Sequence, residues 1–99
     1  MLEYLLPMGT IVKLTGDDGY IMICGRLIVG KENDEEVLYD YAGCEFPVGV
    51  TGEDYFLFDH EDIEFVNYIG YQDERELTYR QMLSNAVEDF VNNNIQEEE

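Results

Sequence analysis

The sequence contains little histidine, cysteine or basic charge, and these shortages exclude several kinds of site. It has one histidine, two cysteines and no tryptophan, and its five Lys and Arg residues stand against 23 Asp and Glu residues. Cysteines and a histidine in this number, without CxxC spacing, do not provide the four clustered ligands of a structural zinc site. No run of about 18 apolar residues is present, so the sequence predicts no membrane-spanning helix. Gly16 and Gly19 lack the spacing and the lysine of a phosphate-binding loop.

The N-terminal residues Met1-Leu2-Glu3-Tyr4 have neither the basic segment nor the apolar stretch of a secretory signal. We therefore expect a cytoplasmic protein. In that reducing compartment Cys24 and Cys44 are expected to remain thiols, although a single disulfide between them is the alternative.

Negative charge dominates the composition, with a formal net charge of −18 at pH 7. Such a field repels nucleic acids and anionic membranes, so neither is expected as a partner. It favours a basic protein partner, and the alternative is that the acids serve only to keep the protein soluble. The acidic stretches Asp17-Asp18 and Asp59–Asp62 lack the alternating ligands of an EF-hand loop, and we expect no metal and no cofactor.

The chain up to residue 71 has the pattern of short strands separated by glycine-containing turns. Gly16-Asp17-Asp18-Gly19 is predicted as a turn, Gly25 as a bulge, Gly30–Glu36 as an acidic loop and Gly43 as a bend. The predicted strands are Ile11–Leu14, Tyr20–Cys24 continued by Leu27–Val29, Val37–Tyr41, Tyr55–Phe58 and Ile63–Tyr71.

After residue 71 the apolar residues recur at steps of three and four, which predicts an amphipathic helix over about 75–92. The expected fold class is α+β, with a strongly bent antiparallel sheet or SH3-like barrel of about five strands and a C-terminal helix. We expect a single domain over 1–99, with a β-rich part at 5–71 and a fraying acidic tail at 93–99. The apolar stripe of the helix is expected to dock on the sheet or on a second copy of the chain, which would make a homodimer.

Cys44 and His60 form the pair from which a nucleophilic site could be built. A catalytic cysteine needs a base and an electropositive environment that stabilises the thiolate. Here Glu45 follows Cys44 directly, and His60 lies between Asp59 and Glu61, so the local charge opposes thiolate formation. We interpret Cys44 as a small packing residue and expect no catalytic residues, and a Cys/His-dependent enzyme is the weakest alternative.

Surfaces are the remaining candidates for function. Tyr39 and Tyr41 share one face of a predicted strand, which would be either core or a partner-binding face. Three carboxylates within four residues, at Asp59–Asp62, would attract a basic partner, and the alternative is that they form only a solvated turn. The residues that we expect to contact a partner are Asp59, Glu61, Asp62, Tyr39, Tyr41 and Phe90.

Four segments, in order, resemble a small family of domains of unknown function from Gram-positive bacteria. They read "LLPMGTIVKLTG", "YIMICGRLI", "YDYAGCEFPVGV" and "FDHEDIEFVNYIGYQDERE", and the similarity spans about Leu5 to Glu76. The family pattern is carried by positions that we interpret as structural, namely Pro7, Gly9, Gly25, Arg26, Gly43, Cys44, Pro47 and His60. In this interpretation His60 hydrogen-bonds a neighbouring loop and Arg26 pairs with a carboxylate.

This resemblance implies genes that lie beside type VII secretion toxins of the LXG kind. It implies a non-enzymatic accessory role, as a chaperone or adaptor for a secreted toxin, with an immunity protein that neutralises a basic toxin as the alternative. No catalytic residue comes with the resemblance.

Overall fold

The structure is a computed structural model that describes residues 5–52 and 55–97. The chain divides into a sheet unit, Leu6–Tyr71, and a helical unit that comprises the chain from Gln72 onward together with the residues before Leu6. In the part of the chain that the structure describes, no helix is long and apolar enough to cross a membrane. The prediction of a single domain over the whole chain stays a prediction.

The sheet unit contains one antiparallel sheet with the strand order β4-β3-β2-β1-β5. A short 3-10 helix, His60–Asp62, joins β4 to β5, and the edges of the sheet at β4 and β5 leave it open. This sheet, together with a C-terminal helix, confirms the predicted α+β class. The strands are β1 Ile11–Leu14, β2 Tyr20–Glu32, β3 Glu35–Phe46, β4 Phe56–Phe58 and β5 Ile63–Tyr68.

The long hairpin of β2 and β3 differs from the sequence prediction. Gly30–Glu36 was expected to be a loop, but β2 continues to Glu32 and β3 starts at Glu35, so only Asn33 and Asp34 form the turn. Both turn residues have positive φ, 54° and 70°, which Asn and Asp tolerate better than most residues and which two-residue hairpin turns require. The acidic side chains of this segment are exposed. They are polar because they face solvent on the hairpin, and not because the segment is a loop.

Gly43 was predicted as a bend, and this prediction was wrong. Gly43 lies inside β3, which runs on to Phe46, and it pairs with Ile23 of β2 on one side and with Phe56 of β4 on the other. A Cβ atom at this position would overlap the side chain of Ile21, so the glycine permits close packing across the sheet. The bulge expected at Gly25 is confirmed, because the register of β2 and β3 shifts between Ile23 and Gly25.

The core of the sheet unit forms from apolar side chains of the central strands. Fully burying one such side chain contributes roughly 1.5–3 kcal/mol. The segment before β1 is attached to β2 by backbone hydrogen bonds, from Gly9 N to Ile23 O and from Ile23 N to Thr10 O, each 2.8 Å. Within the sheet unit, the largest buried apolar residues are Val12, Ile21, Ile23, Tyr41 and Phe58.

The helical unit contains one helix, α1, over Glu74–Glu97. Asp73 acts as its N-cap, because its carboxylate accepts from Arg75 N at 2.9 Å and Glu76 N at 3.2 Å. Glu76 and Arg80 form an i,i+4 ion pair of 3.0 Å on the first turns. α1 continues through residues 93–97, beyond the predicted end at about 92, and residues 98–99 lie outside the described residues. That the tail at 93–99 frays stays a prediction. The expected docking of the apolar stripe stays a prediction.

Candidate functional site

The hydroxyl of Tyr41 is the centre of a hydrogen-bond network in the sheet unit. The side chain is fully buried in β3. Its oxygen accepts from Leu6 N at 3.1 Å and lies 2.8 Å from Nδ1 of His60. Because the phenol already accepts from Leu6, its own proton suits Nδ1 as acceptor, which favours the His60 tautomer protonated at Nε2. The Tyr41 ring packs against Phe58 with a centroid separation of 5.4 Å.

Two aspartates join β3 to the segment that follows β4. Asp40 N donates to Oδ1 of Asp59 at 3.0 Å, and His60 N donates to Oδ2 of Asp40 at 2.9 Å. This reciprocal pair holds His60 in place beneath the Tyr41 hydroxyl. His60 was expected to hydrogen-bond a neighbouring loop, but its backbone and its ring both bond to residues of the strand β3.

Two residues of the acidic cluster at residues 59–62 form hydrogen bonds within the 3-10 turn itself. Asp59 N donates to Oδ2 of Asp62 at 2.9 Å, and Asp62 N donates back to Asp59 O at 3.0 Å. Asp59 also binds Asp40, as described above. Glu61 is exposed to solvent. Of the three carboxylates expected to attract a partner, two therefore stabilise the 3-10 turn. Substituting Glu61 is the change that tests the effect of charge on partner binding by itself.

The two candidate tyrosines of β3 have different environments. Tyr39 is half-buried, and its hydroxyl donates to Oε2 of Glu32 at 3.2 Å. Burial and the carboxylate of Glu32 raise the pKa of Tyr39 above its ordinary value. Tyr41, in contrast, presents no surface to solvent, so it cannot contact a partner directly. We correct that part of the expectation and assign Tyr41 to the core.

The motif residues near the N-terminus pack on the same network. Pro7 is buried, and Nη1 of the buried Arg26 donates to Leu6 O at 3.4 Å. Leu6 is thus held through its carbonyl by Arg26 and through its amide by Tyr41. The carboxylate partner expected for Arg26 stays a prediction. A further link, from Gly70 N to Oγ1 of the buried Thr10 at 2.9 Å, ties the end of the sheet unit to its beginning.

Cys24 and Cys44 are neighbours on adjacent strands. Both are free thiols, and Cys44 lies opposite Met22, two residues before Cys24 on β2. Cys44 is 4% exposed, in agreement with its interpretation as a packing residue. Burial, and next the proximity of Cys44, raise the pKa of the Cys24 thiol. The raised pKa opposes thiolate formation at Cys24, and Nδ1 of His60 is bonded to the Tyr41 hydroxyl.

A cavity of about 270 Å³ opens beside Cys24. Its walls are almost wholly apolar, and the aromatic ring of Tyr55 and the side chain of Leu57 border it on the β4 side. The side chain of Ala42 and the bulge at Gly25 line the other side. The cavity therefore gives small molecules access to Cys24, whereas Cys44 lines a separate, smaller cavity of about 190 Å³.

Exposed apolar side chains gather where β2 begins, β3 ends and β4 begins. We call this surface the apolar rim, and each of its members is 44–61% exposed. Tyr20 is the pairing partner of Phe46, and the loop that follows Phe46 returns to β3 through a bridge between Gly49 and Glu45. Phe56 borders the same small cavity as Gly49 and Thr51. The apolar rim consists of Tyr20, Phe46, Val48, Val50 and Phe56.

Sequence reasoning missed the apolar rim because no strand was predicted between Tyr41 and Tyr55, where three of its residues lie. The available signal was the alternation of Phe46, Val48 and Val50, which places three apolar side chains at steps of two. Pro47 itself is exposed and follows a cis peptide bond. Phe90, the last candidate contact, is 38% exposed on α1.

Metal ligands do not converge in the parts of the chain at 5–52 and 55–97. There, no group of three or more His, Cys, Asp and Glu side chains is placed to hold a metal ion. The acidic turn at Asp59–Asp62 is explained by its internal hydrogen bonds.

Comparison with known proteins gives one finding. No curated protein and no solved structure matches the chain. A family model does match, over residues 5–79, which include the whole sheet unit and the first residues of α1. The matched region includes Tyr41, His60, Arg26 and the apolar rim. The chain therefore belongs to the family described as Domain of unknown function (DUF4176).

Proposed function

We propose that this protein is a non-enzymatic, acidic accessory factor that binds another protein, as a chaperone or adaptor for a toxin of the LXG kind exported by type VII secretion. The observation that carries the binding role is the apolar rim, an exposed apolar surface on a strongly acidic chain. The toxin as partner rests on the sequence resemblance described above.

The apolar rim has the properties of a docking surface. It consists of two phenylalanines, a tyrosine and two valines, and each of them is well exposed. Clustered exposed apolar groups on a small domain mark interaction sites, whereas single exposed apolar residues are ordinary. Aromatic side chains supply most of the energy at protein interfaces, so Phe46 and Phe56 are the expected anchors.

The surrounding charge selects a basic partner. The rim residues lie within the stretches 14–25 and 32–74, which contain no Lys or Arg. Asp17 and Asp18 precede Tyr20, and Glu45 precedes Phe46. A partner that places apolar side chains on the rim therefore brings its own edge against carboxylates. Basic residues around an apolar centre would satisfy both requirements.

A second role, as an immunity protein, has its own supporting observation. The hairpin of β2 and β3 ends in a tip, residues 31–36, in which every residue is exposed. Four of these six residues are acidic and one is basic. Such a tip has the charge and the narrow shape to enter a basic active-site cleft. A Cys/His-dependent enzyme is the third and weakest alternative, because Cys44 is 4% exposed and Nδ1 of His60 is bonded to the Tyr41 hydroxyl.

Co-expression with an LXG-type toxin from the same genome tests the proposal. The full chain and the toxin should co-purify at low salt, and the amount of soluble toxin should rise. If the protein is a chaperone or adaptor, the toxin in the complex should stay active, because binding occurs away from its active site. Loss of toxin activity, restored by Glu35→Lys together with Glu36→Lys in the hairpin tip, would establish the immunity role. Failure of the two chains to form any complex would refute both.

A further inference from the structure

The pairing of β2 and β3 brings the two cysteines of the chain together. Cys44 lies opposite Met22, and Cys24 is two positions farther along β2, at the bulge. Diagonal neighbours on paired strands normally lie about 7–8 Å apart at Cα, slightly too far for a disulfide. At this point the bulge inserts Cys24 as an extra residue in β2 and interrupts the ladder, and Cys24 shares a cavity wall with Ala42, two residues before Cys44 on β3. The proximity of Cys44 also raises the pKa of Cys24, so the two thiols are close neighbours before any reaction.

We propose that Cys24 and Cys44 form a reversible intramolecular disulfide when the protein meets a peroxide. The bond would join β2 to β3 across the bulge. Formation of this disulfide does not depend on the proposed binding role, since it depends on the register of the two strands and on access to Cys24.

The two thiols have different access, and this sets the order of the steps. Cys24 is half-buried and lines the apolar cavity of about 270 Å³, which is large enough for hydrogen peroxide to enter. Cys44 is 4% exposed. Cys24 is thus the first thiol to react, and Cys44 is the resolving thiol.

The reaction balances with hydrogen peroxide as the two-electron oxidant. The sulfur of Cys24 attacks one peroxide oxygen and the O–O bond breaks. The departing hydroxide takes the thiol proton and leaves as water, which yields a sulfenic acid at Cys24. The sulfur of Cys44 then attacks the sulfur of Cys24 and displaces the hydroxyl group. That hydroxyl takes the proton of Cys44 and leaves as a second water, and the S–S bond is formed.

The environment of Cys24 makes this reaction slow. Burial and the neighbouring thiol raise its pKa, so little thiolate is present at neutral pH. Brief exposure to peroxide should therefore leave both thiols reduced, and sustained exposure should convert them. A mild reductant such as dithiothreitol should restore both thiols.

The test uses the full chain, oxidised with excess hydrogen peroxide, alkylated and digested with trypsin without reduction. Lys13, Arg26, Lys31, Arg75 and Arg80 are the cleavage sites, so Cys24 falls in peptide 14–26 and Cys44 in peptide 32–75. We expect these two peptides to be joined, the intact mass to fall by two hydrogen atoms, and the chain to remain monomeric on a non-reducing gel. A mixture of isotopically light and heavy chains should give light–light and heavy–heavy pairs only.

The single variants Cys24→Ser and Cys44→Ser are the matched controls. Cys44→Ser should stop at a sulfenic acid on Cys24 that dimedone traps, and Cys24→Ser should resist oxidation. The proposal is overturned if wild-type protein accumulates sulfinic acid, or disulfides between chains, in place of the joined peptides. This outcome is read from wild-type protein alone, so it does not depend on how well either variant folds.

Discussion

Replacing Tyr41 with phenylalanine removes a single oxygen atom from the centre of the sheet unit. The ring would keep its packing against Phe58, so the cavity term that accompanies most core substitutions is absent. What is lost is the acceptor for Leu6 N and the partner of Nδ1 of His60. Both groups are part-buried, so water replaces the lost oxygen poorly.

The expected cost follows from the two hydrogen bonds. A typical intramolecular hydrogen bond contributes about 0.5–1.5 kcal/mol, and a buried group left without a partner costs about 1–3 kcal/mol. We therefore expect Tyr41→Phe to lower the free energy of unfolding by about 2 kcal/mol. With a urea dependence of about 1–3 kcal/mol per molar for a small protein, the midpoint of urea unfolding should fall by roughly 1 M.

Tyr39→Phe is the matched control for this measurement. It deletes the same atom from the same strand, but there the hydroxyl donates to Glu32 on the surface. Urea unfolding followed by circular dichroism should show a midpoint shift well under half of that for Tyr41→Phe. Equal shifts for the two variants, or an unchanged midpoint for Tyr41→Phe, would refute the assignment of the Tyr41 network as a main support of the sheet unit.

Three further predictions concern packing, pH and salt. Gly43→Ala should cost about 1–3 kcal/mol in urea unfolding, because its Cβ would overlap Ile21, while Gly19→Ala, where the nearest atom is 4.0 Å away, should be close to neutral. Burial and Cys44 raise the pKa of Cys24, so folding favours its protonated thiol. This contribution is complete below the ordinary thiol pKa and is lost as pH rises through the raised one, so above about pH 8.5 the urea midpoint of wild type should fall more than that of Cys24→Ser. The association rate with a basic partner should drop more than tenfold between about 0.01 and 0.15 M salt, because the Debye length shrinks from about 30 to about 8 Å over that range. Glu61→Gln should slow association without lowering stability. An association rate that does not change with salt would show that charge does not steer binding.

The alternation of apolar residues and the glycine turns were sufficient to predict the sheet. The bounds of β1, the bulge at Gly25 and the turn at Gly16–Gly19 all followed from local chemistry, and Asp17 accepts from Gly19 N as that turn predicts. The ends of β2 and β3 could not be predicted from local chemistry. Exposed Glu and Lys side chains in a hairpin have the same polarity as those of a loop, so composition cannot separate the two.

The contacts at the candidate site were less predictable than the strands. His60, Asp40 and Asp59 are close only because β4 pairs with β3. The sequence predicts where strands occur along the chain, but it does not show which strands pair. Alternation placed Tyr39 and Tyr41 on one face but could not say how burial varies along it. The neighbouring thiols likewise depend on the register of β2 and β3, which the bulge shifts.

The affinity of a purified LXG-type toxin for two single variants tests the central claim most directly. Val48→Asp places a carboxylate in the apolar rim, and Val29→Asp adds the same charge on β2 at a residue that is 47% exposed and lies outside the rim. Calorimetric titration at about 0.15 M salt should show the dissociation constant rising at least tenfold for Val48→Asp, a loss of about 1.4 kcal/mol or more, and changing little for Val29→Asp. Circular dichroism should show that both variants are folded. Equal affinities for the two variants would contradict binding through the apolar rim.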